Sequence, residues 1–264
     1  MLNTFLHVKV NLDQFHAGED RPDEPETTIG QPDWTLNIGH QTQTVKRQHD
    51  NASLHITSYG TKMTFQQELS SWFSPSTATT AVASPPAIGS PAPSTPKLKL
   101  SPNQPTILAF LRHCGCPFAE KTFLNLREIA KSHKSMTFIA ISHSDSAATD
   151  TWLASLPQAG SEPSNLQVIV DEKCEAYAAW GLGVSGYAHA LSPWSLYEVW
   201  KLGREEGIWN RPTESGSRWQ ISGTWAVDEQ GVVRWGRLAE RADDIPDFEG
   251  AVGSLDGVEK GVER

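Results

Sequence analysis

Two of the three cysteines in the chain, Cys114 and Cys116, stand one residue apart in ILAFLRHCGCPFAEKTF, where an apolar run of strand length gives way to helical spacing. Pro117 suits the first turn of a helix, because the N–H it lacks would have no intrahelical partner there. Cys116 then falls at a helix N-terminus, where unpaired backbone N–H groups and the helix dipole favour an anion. The thiolate is the nucleophilic form of cysteine, and such a position favours it. Cys116 is therefore the candidate attacking thiol, against the plainer reading of a small buried apolar residue. Arg112 and His113 stand beside it as candidate cations or donors. Glu120 suits the helix dipole but repels a thiolate, so its candidate roles are to orient Arg112 or to relay a proton.

Cys114 has two readings. It could close a disulfide with Cys116, in a ring so small that the bond would be strained and easily reduced. Alternatively it is a spectator, and the resolving thiol lies elsewhere or comes from a small molecule. A zinc site using His113 or Cys174 is disfavoured, since one-residue spacing is unusual and no second ligand pair is present. Cys174 follows Asp171 in an expected amphipathic helix and reads as a packing residue.

Elements of a particular kind must hold this turn. TILAFLR reads as a strand, and Ala119, Phe123, Leu126 and Ala130 fall on one face of a helix. SMTFIAISH and SAATDTWLASL repeat the strand–helix order, as do LQVIVD and EKCEAYAAWGLG. Such alternation implies parallel crossovers and an α/β layer fold. SGTWAVDEQGVVRWGRL reads as a hairpin turning at Asp228–Gly231, with glycine where positive φ is needed. DIPDFEGAVGSL offers a closing helix. Between Gly183 and Gln220 lies an insertion whose helix places Leu196, Val199, Trp200 and Gly203 on one face. Seven of the ten tryptophans fall between Trp180 and Trp235, as core or as the lining of an organic ligand pocket.

Residues 1–62 are polar and lack sustained periodicity, which predicts a disordered or loosely attached extension. Residues 63–96 read as a short amphipathic helix, with Phe65, Leu69, Trp72 and Phe73 on one face, and then a Pro-rich linker. The end of that linker is expected to lie along the folded domain at 97–254, and 255–264 form a tail. Met63 is an alternative candidate for the start of translation. The net charge of −9 argues against general nucleic-acid binding. No apolar run is long enough to span a membrane, and the start lacks the long apolar stretch of a signal peptide. Three cysteines do not make a disulfide framework, so a cytoplasmic, reducing setting is expected. Asn51-Ala-Ser then reads as a chance match to a glycosylation acceptor.

Taken together, the leader IGSPAP, the turn AFLRHCGCPFAE and the late SGTWAVDEQGVVRW resemble peroxiredoxin-like proteins of the AhpC/TSA type, within the thioredoxin-fold superfamily, over about residues 88–250. The similarity is greatest to the branch that includes prostamide/prostaglandin F synthase-like proteins. It implies a thioredoxin-like fold, a central mixed sheet flanked by helices, with a helical insertion before the final β-hairpin. It also implies a thiol-dependent oxidoreductase with antioxidant chemistry and no metal or nucleotide cofactor. Cys116 would attack a peroxide or disulfide, and a thioredoxin-like or glutathione-like thiol would donate electrons. The sequence departs from the family where typical peroxiredoxins carry a threonine three residues before the cysteine, since His113 stands there. Ser222, ahead of Gly223-Thr224, replaces the usual arginine, and Ala119 replaces the second cysteine of the prostamide type. Ser222 and Thr224 remain candidate supporting residues. The rival expectation is a non-catalytic thioredoxin-fold protein that binds a ligand or partner through the Trp-rich insertion. A chain beginning at Met63 is expected to keep the melting temperature and thiol chemistry of the full chain, as calorimetry and alkylation would check.

Overall fold

The structure is a computed structural model that describes residues 34–38, 41–46, 55–58, 81–186, 193–211, 213 and 215–259. Contacts divide the chain into two compact units, Met1–Gly60 and Thr61–Arg264. The first contains β1 (Trp34–Ile38), β2 (Gln41–Lys46) and β3 (His55–Ser58), paired antiparallel in that order. These strands fall within the stretch expected as a disordered or loosely attached extension. Trp34, Leu36 and Ile38 alternate with Thr35 and Asn37, a strand period masked by the polar composition around it. The helix expected near residues 64–73 lies outside the described residues.

The second unit is built on a five-stranded sheet. Its elements are β4 (Thr106–Phe110), α1 (Pro117–Ser132), β5 (Thr137–Ser142), α2 (Ser146–Ser155) and β6 (Leu166–Val170). There follow α3 (Glu175–Ala179), α4 (Pro193–Glu206), β7 (Gly223–Val227), β8 (Val233–Leu238) and α5 (Phe248–Glu259). The strand order is β6-β5-β4-β7-β8. β4 pairs parallel with β5 and antiparallel with β7, while β5 pairs parallel with β6 and β7 antiparallel with β8. Two βα crossovers followed by a β-hairpin and a closing helix make this a mixed sheet of thioredoxin-like type, with the expected helical insertion before the hairpin. Gly231, at φ 76°, supplies the turn between β7 and β8.

β4 is the central strand and is buried along its whole length. Its alternation sends Ile107 and Ala109 to one apolar layer, with Phe123, Leu126 and Trp152, and Leu108 and Phe110 to the other. In the second layer Phe110 meets Tyr177, Trp180 and Trp225 at centroid distances of 5.1, 5.7 and 5.6 Å. Burying aromatic area of this size is a major part of the stabilisation.

The folded unit begins earlier than residue 97. The Ala83 N–H donates to the Ala178 carbonyl, and Gly89, Ser90 and Ala92 exchange backbone hydrogen bonds with Gly231 and Val233. Prolines keep this leader from becoming a helix, but an extended chain can still line the sheet edge. Leu98 is fully buried, as a leader lying along the domain requires, although neither it nor Leu100 forms a strand.

Two local expectations are corrected. Cys174 is not inside a helix; it caps the five-residue α3 in a left-handed conformation. Asp171 organises that end by accepting from the N–H groups of Glu175, Ala176 and Tyr177. On α4, Leu196 and Trp200 are exposed rather than inward. Ser195 and Gly203 are buried, and Val199 and Leu202 pack against the core. Ser195 can turn inward because its hydroxyl donates to Asp243 Oδ1 at 2.7 Å.

Tyr177 joins the layers to the functional end of the sheet. Its hydroxyl lies 2.7 Å from both the Leu111 and the Ile141 carbonyl, where β4 and β5 stop. Tyr177→Phe is expected to destabilise the protein by about 1–2 kcal/mol in urea unfolding, because buried carbonyls lose their donor.

Candidate active site

The chain leaves β4 at Phe110 and enters α1 at Pro117, so Leu111–Cys116 form the turn above the C-terminal edge of the sheet. Cys116 is the N-cap of α1, with extended backbone and proline following. Its own carbonyl already accepts from the Ala119 and Glu120 N–H groups. This is the helix-terminal position expected for it. The thiol is buried, at 6% relative exposure, so a reactant must enter through the turn rather than meet an open surface.

Cys114 is also buried, and its sulfur is directed elsewhere. It lies 3.6 Å from Ser142 Oγ and 3.7 Å from Thr149 Oγ1, while the Cys114 N–H donates to Ser144 Oγ. Both sulfurs are free thiols, as is that of Cys174. Burial, followed by the charge of Asp171, pushes the Cys174 thiol up to about 11, so it stays protonated near neutrality. Among the described residues no three His, Cys, Asp or Glu side chains gather as a metal site would require.

The expected roles of His113 and Glu120 change. His113 is buried, and desolvation followed by the charge of Arg112 and then Arg218 holds its pKa well below the ordinary value. It is neutral near pH 7, and its Nδ1 accepts from the Gly115 N–H at 3.1 Å. It therefore shapes the turn and does not supply a positive charge. Glu120 does not orient Arg112. Its carboxylate takes a two-point ion pair from Arg211, with Nε and Nη2 at 2.8 and 3.0 Å. The Arg211 N–H also donates to the Gly115 carbonyl, bringing that backbone so close that a β-carbon on residue 115 would lie 2.3 Å from the Arg211 oxygen. Glycine at 115 is required by this approach.

Arg112 is 6% exposed, and its Nη2 donates to the Arg218 carbonyl at 2.7 Å. Its Nε and Nη1 are buried without a hydrogen-bond partner among the described residues. Arg112 lines a cavity of about 190 Å³ together with Ser222 and Thr224, which lie far from it in sequence. Phe118 and Ala119, from the first turn of α1, line it too. Cys116 and Cys114 are not among its lining residues.

Several contributors were not singled out by sequence. Ser142, Ser144 and Thr149 surround Cys114, and their signal was a hydroxyl-rich stretch at the end of β5. His143 places Nε2 3.1 Å from the Ser217 carbonyl, to which it donates. Burial lowers its pKa to about 4. Arg211 comes from the insertion, where no periodicity marks it.

Residues 125–241 match a family model described as AhpC/TSA antioxidant enzyme. That match starts beyond Cys114 and Cys116. It covers the second half of α1, the second crossover, the insertion and the hairpin, and it supports the resemblance to peroxiredoxin-like proteins; nothing in it distinguishes the prostaglandin-related branch. No curated protein sequence matches the chain. Similar solved structures include a thiol peroxidase from Chromobacterium violaceum, 14% identical, covering 68% of this chain and 91% of its own, with a TM-score of 0.45. A peroxiredoxin 6 of Arenicola marina is 14% identical over 67% of this chain and 76% of its own, with a TM-score of 0.46. An Enterococcus faecalis AhpC is 10% identical over 62% and 79%, with a TM-score of 0.44. No helix among the described residues is long and apolar enough to cross a membrane.

The buried histidines make stability depend on pH. His143 is neutral in the fold down to about 4 and titrates near 6.5 when exposed, so the unfolded chain binds more protons between those values. Stability therefore falls as pH drops through that window, and His113 acts in the same direction. Between pH 7 and pH 5 the loss from His143 is expected to be about 2 kcal/mol, measured by urea unfolding, and His143→Gln should remove that share.

Proposed function

We propose that the protein is a thiol-dependent peroxidase in which Cys116 is the attacking thiolate. The observation that carries this reading is the placement of Cys116 as N-cap of α1, directly after the central strand of a thioredoxin-like sheet. The AhpC/TSA match supports an enzyme of this class. In the first step the Cys116 sulfur attacks the terminal oxygen of a hydroperoxide. The O–O bond breaks, sulfur is oxidised to sulfenic acid, and the alkoxide leaves and takes a proton from solvent to become an alcohol. An external thiol then condenses with the sulfenic acid, releasing water and forming a mixed disulfide. A second external thiol attacks that bond, restoring the Cys116 thiol and leaving as the oxidised donor.

An external donor is favoured over Cys114 because the Cys114 sulfur sits among the Ser142 and Thr149 hydroxyls. Cys174 is disfavoured because its thiol stays protonated. Arg112 is the group nearest in sequence that keeps a positive charge at every physiological pH. The donor is of thioredoxin or glutathione type, and the setting is cytoplasmic.

One observation favours a second reading, a binding protein without turnover. Trp194, Tyr197 and Trp200 form an exposed row on α4, with ring centroids 5.9 and 6.1 Å apart, and Arg204 lies over the Trp200 ring. Turnover separates the two readings. With an organic hydroperoxide and a dithiol donor, Cys116→Ser is expected to lose at least about a hundredfold in kcat/KM, since the nucleophile is gone. Cys114→Ser should keep activity within about threefold, as a residue outside the transition state would. Equal activity of wild type and Cys116→Ser would favour the binding protein.

A further inference from the structure

Glu120 is the ionisable residue of the cysteine turn that the proposed chemistry leaves without a use. It stands four positions after Cys116, and residues four apart on a helix lie one above the other. Its N–H donates to the Cys116 carbonyl, so the first turn of α1 closes between these two residues. Glu120 is only 2% exposed. A negative charge buried so near a sulfur that must react as thiolate opposes the reaction, because water screens it little.

The charge is met from outside the helix. Arg211 forks onto Glu120, with Nε 2.8 Å from Oε2 and Nη2 3.0 Å from Oε1. The Arg211 N–H donates to the Gly115 carbonyl at 3.0 Å. One residue thus grips both sides of Cys116, the backbone before it and the carboxylate one turn after it. A second ion pair joins the same two segments with reversed polarity, since Lys121 of α1 bridges Glu206, the last residue of α4. The four charges cancel. The second pair is the more exposed, so its charges are screened where those at Glu120 are not. A clamp that only held the insertion would not need an acid at this depth, because apolar side chains of similar volume often hold as well as a buried ion pair. What the Glu120–Arg211 pair adds is a fixed turn without net charge beside the sulfur.

We propose that Arg211 is a positioning residue for Cys116: its backbone fixes the turn at Gly115 and its guanidinium cancels the Glu120 charge, so that the insertion sets the reactivity of the thiol. The consequence for turnover rests on Cys116 being the attacking sulfur. The charge at that sulfur is a property of the folded chain and can be read without peroxide.

Iodoacetamide and iodoacetate separate charge from shape. The same thiolate displaces iodide from each, and only the second reagent is an anion. The ratio of their rate constants at Cys116, assigned by peptide mass spectrometry on the full chain, reports the charge met at the sulfur. Arg211→Met bares the carboxylate, so the iodoacetate-to-iodoacetamide ratio is expected to fall at least about threefold. Glu120→Gln keeps an acceptor for Arg211 and bares the guanidinium instead, so the ratio should rise by about the same factor. Arg211→Met with Glu120→Gln should return the ratio to within about twofold of wild type, as coupled partners require. Loss of a merely structural clamp would open the turn to both reagents alike and move the two single variants in the same direction. Ratios that shift together or stay unchanged overturn the proposal, as does a wild-type Cys116 that neither reagent modifies. If Arg211→Met does not fold, the sign of the Glu120→Gln change decides alone. Absence of peroxide turnover in the wild type would sink the peroxidase reading and leave an opposite-sign result standing.

Discussion

Arg211 holds the turn that everything else in the site depends on. Its backbone N–H fastens to the Gly115 carbonyl, and its guanidinium forks onto Glu120 in the first turn of α1. The two contacts bind the cysteine turn and the helix start to a single residue of the insertion. Glu120 is almost fully buried while the Arg211 side chain is about a third exposed, so the pair is only partly screened by water. Losing the arginine would leave a buried carboxylate near the sulfur it repels, whereas the pair cancels that charge locally. The insertion therefore acts as a structural part of the site.

Burial sorts the basic groups above the sheet. Arg112, His113 and His143 crowd together there, and low dielectric makes their mutual repulsion expensive. The histidines respond by giving up their protons, while arginine cannot. Arg112 and Arg218 keep their charge, and the Nε and Nη1 of Arg112 are buried without a hydrogen-bond partner among the described residues. A thiol at the N-terminus of α1 and a buried guanidinium four residues before it are thus separate features of one short segment. The first is the position on which the proposed oxygen transfer to sulfur rests.

Much of this was legible in the chain. Pro117 marks the start of α1 and so places Cys116. The alternating strands and helices give the mixed sheet, and Gly231 gives the hairpin. What periodicity cannot carry is partnership between distant residues. Glu120 finds Arg211 ninety-one positions away, in a loop with no repeating pattern. Ser195 is buried on α4 while its apolar neighbour Leu196 is exposed, because a distant aspartate satisfies the serine hydroxyl. The proline-rich leader hid a similar relation, since extended chain can pair with β8 without strand-forming residues. At β1, polar surroundings obscured an alternation that was present.

The central claim is that Cys116, alone among the three cysteines, is the sulfur that peroxide oxidises. Its most direct test is to add one equivalent of an organic hydroperoxide to the reduced full chain, trap sulfenic acid with dimedone, and map the adduct by peptide mass spectrometry. The account predicts the adduct on Cys116, with Cys114 and Cys174 unmodified. An adduct on Cys114 with Cys116 untouched would contradict it.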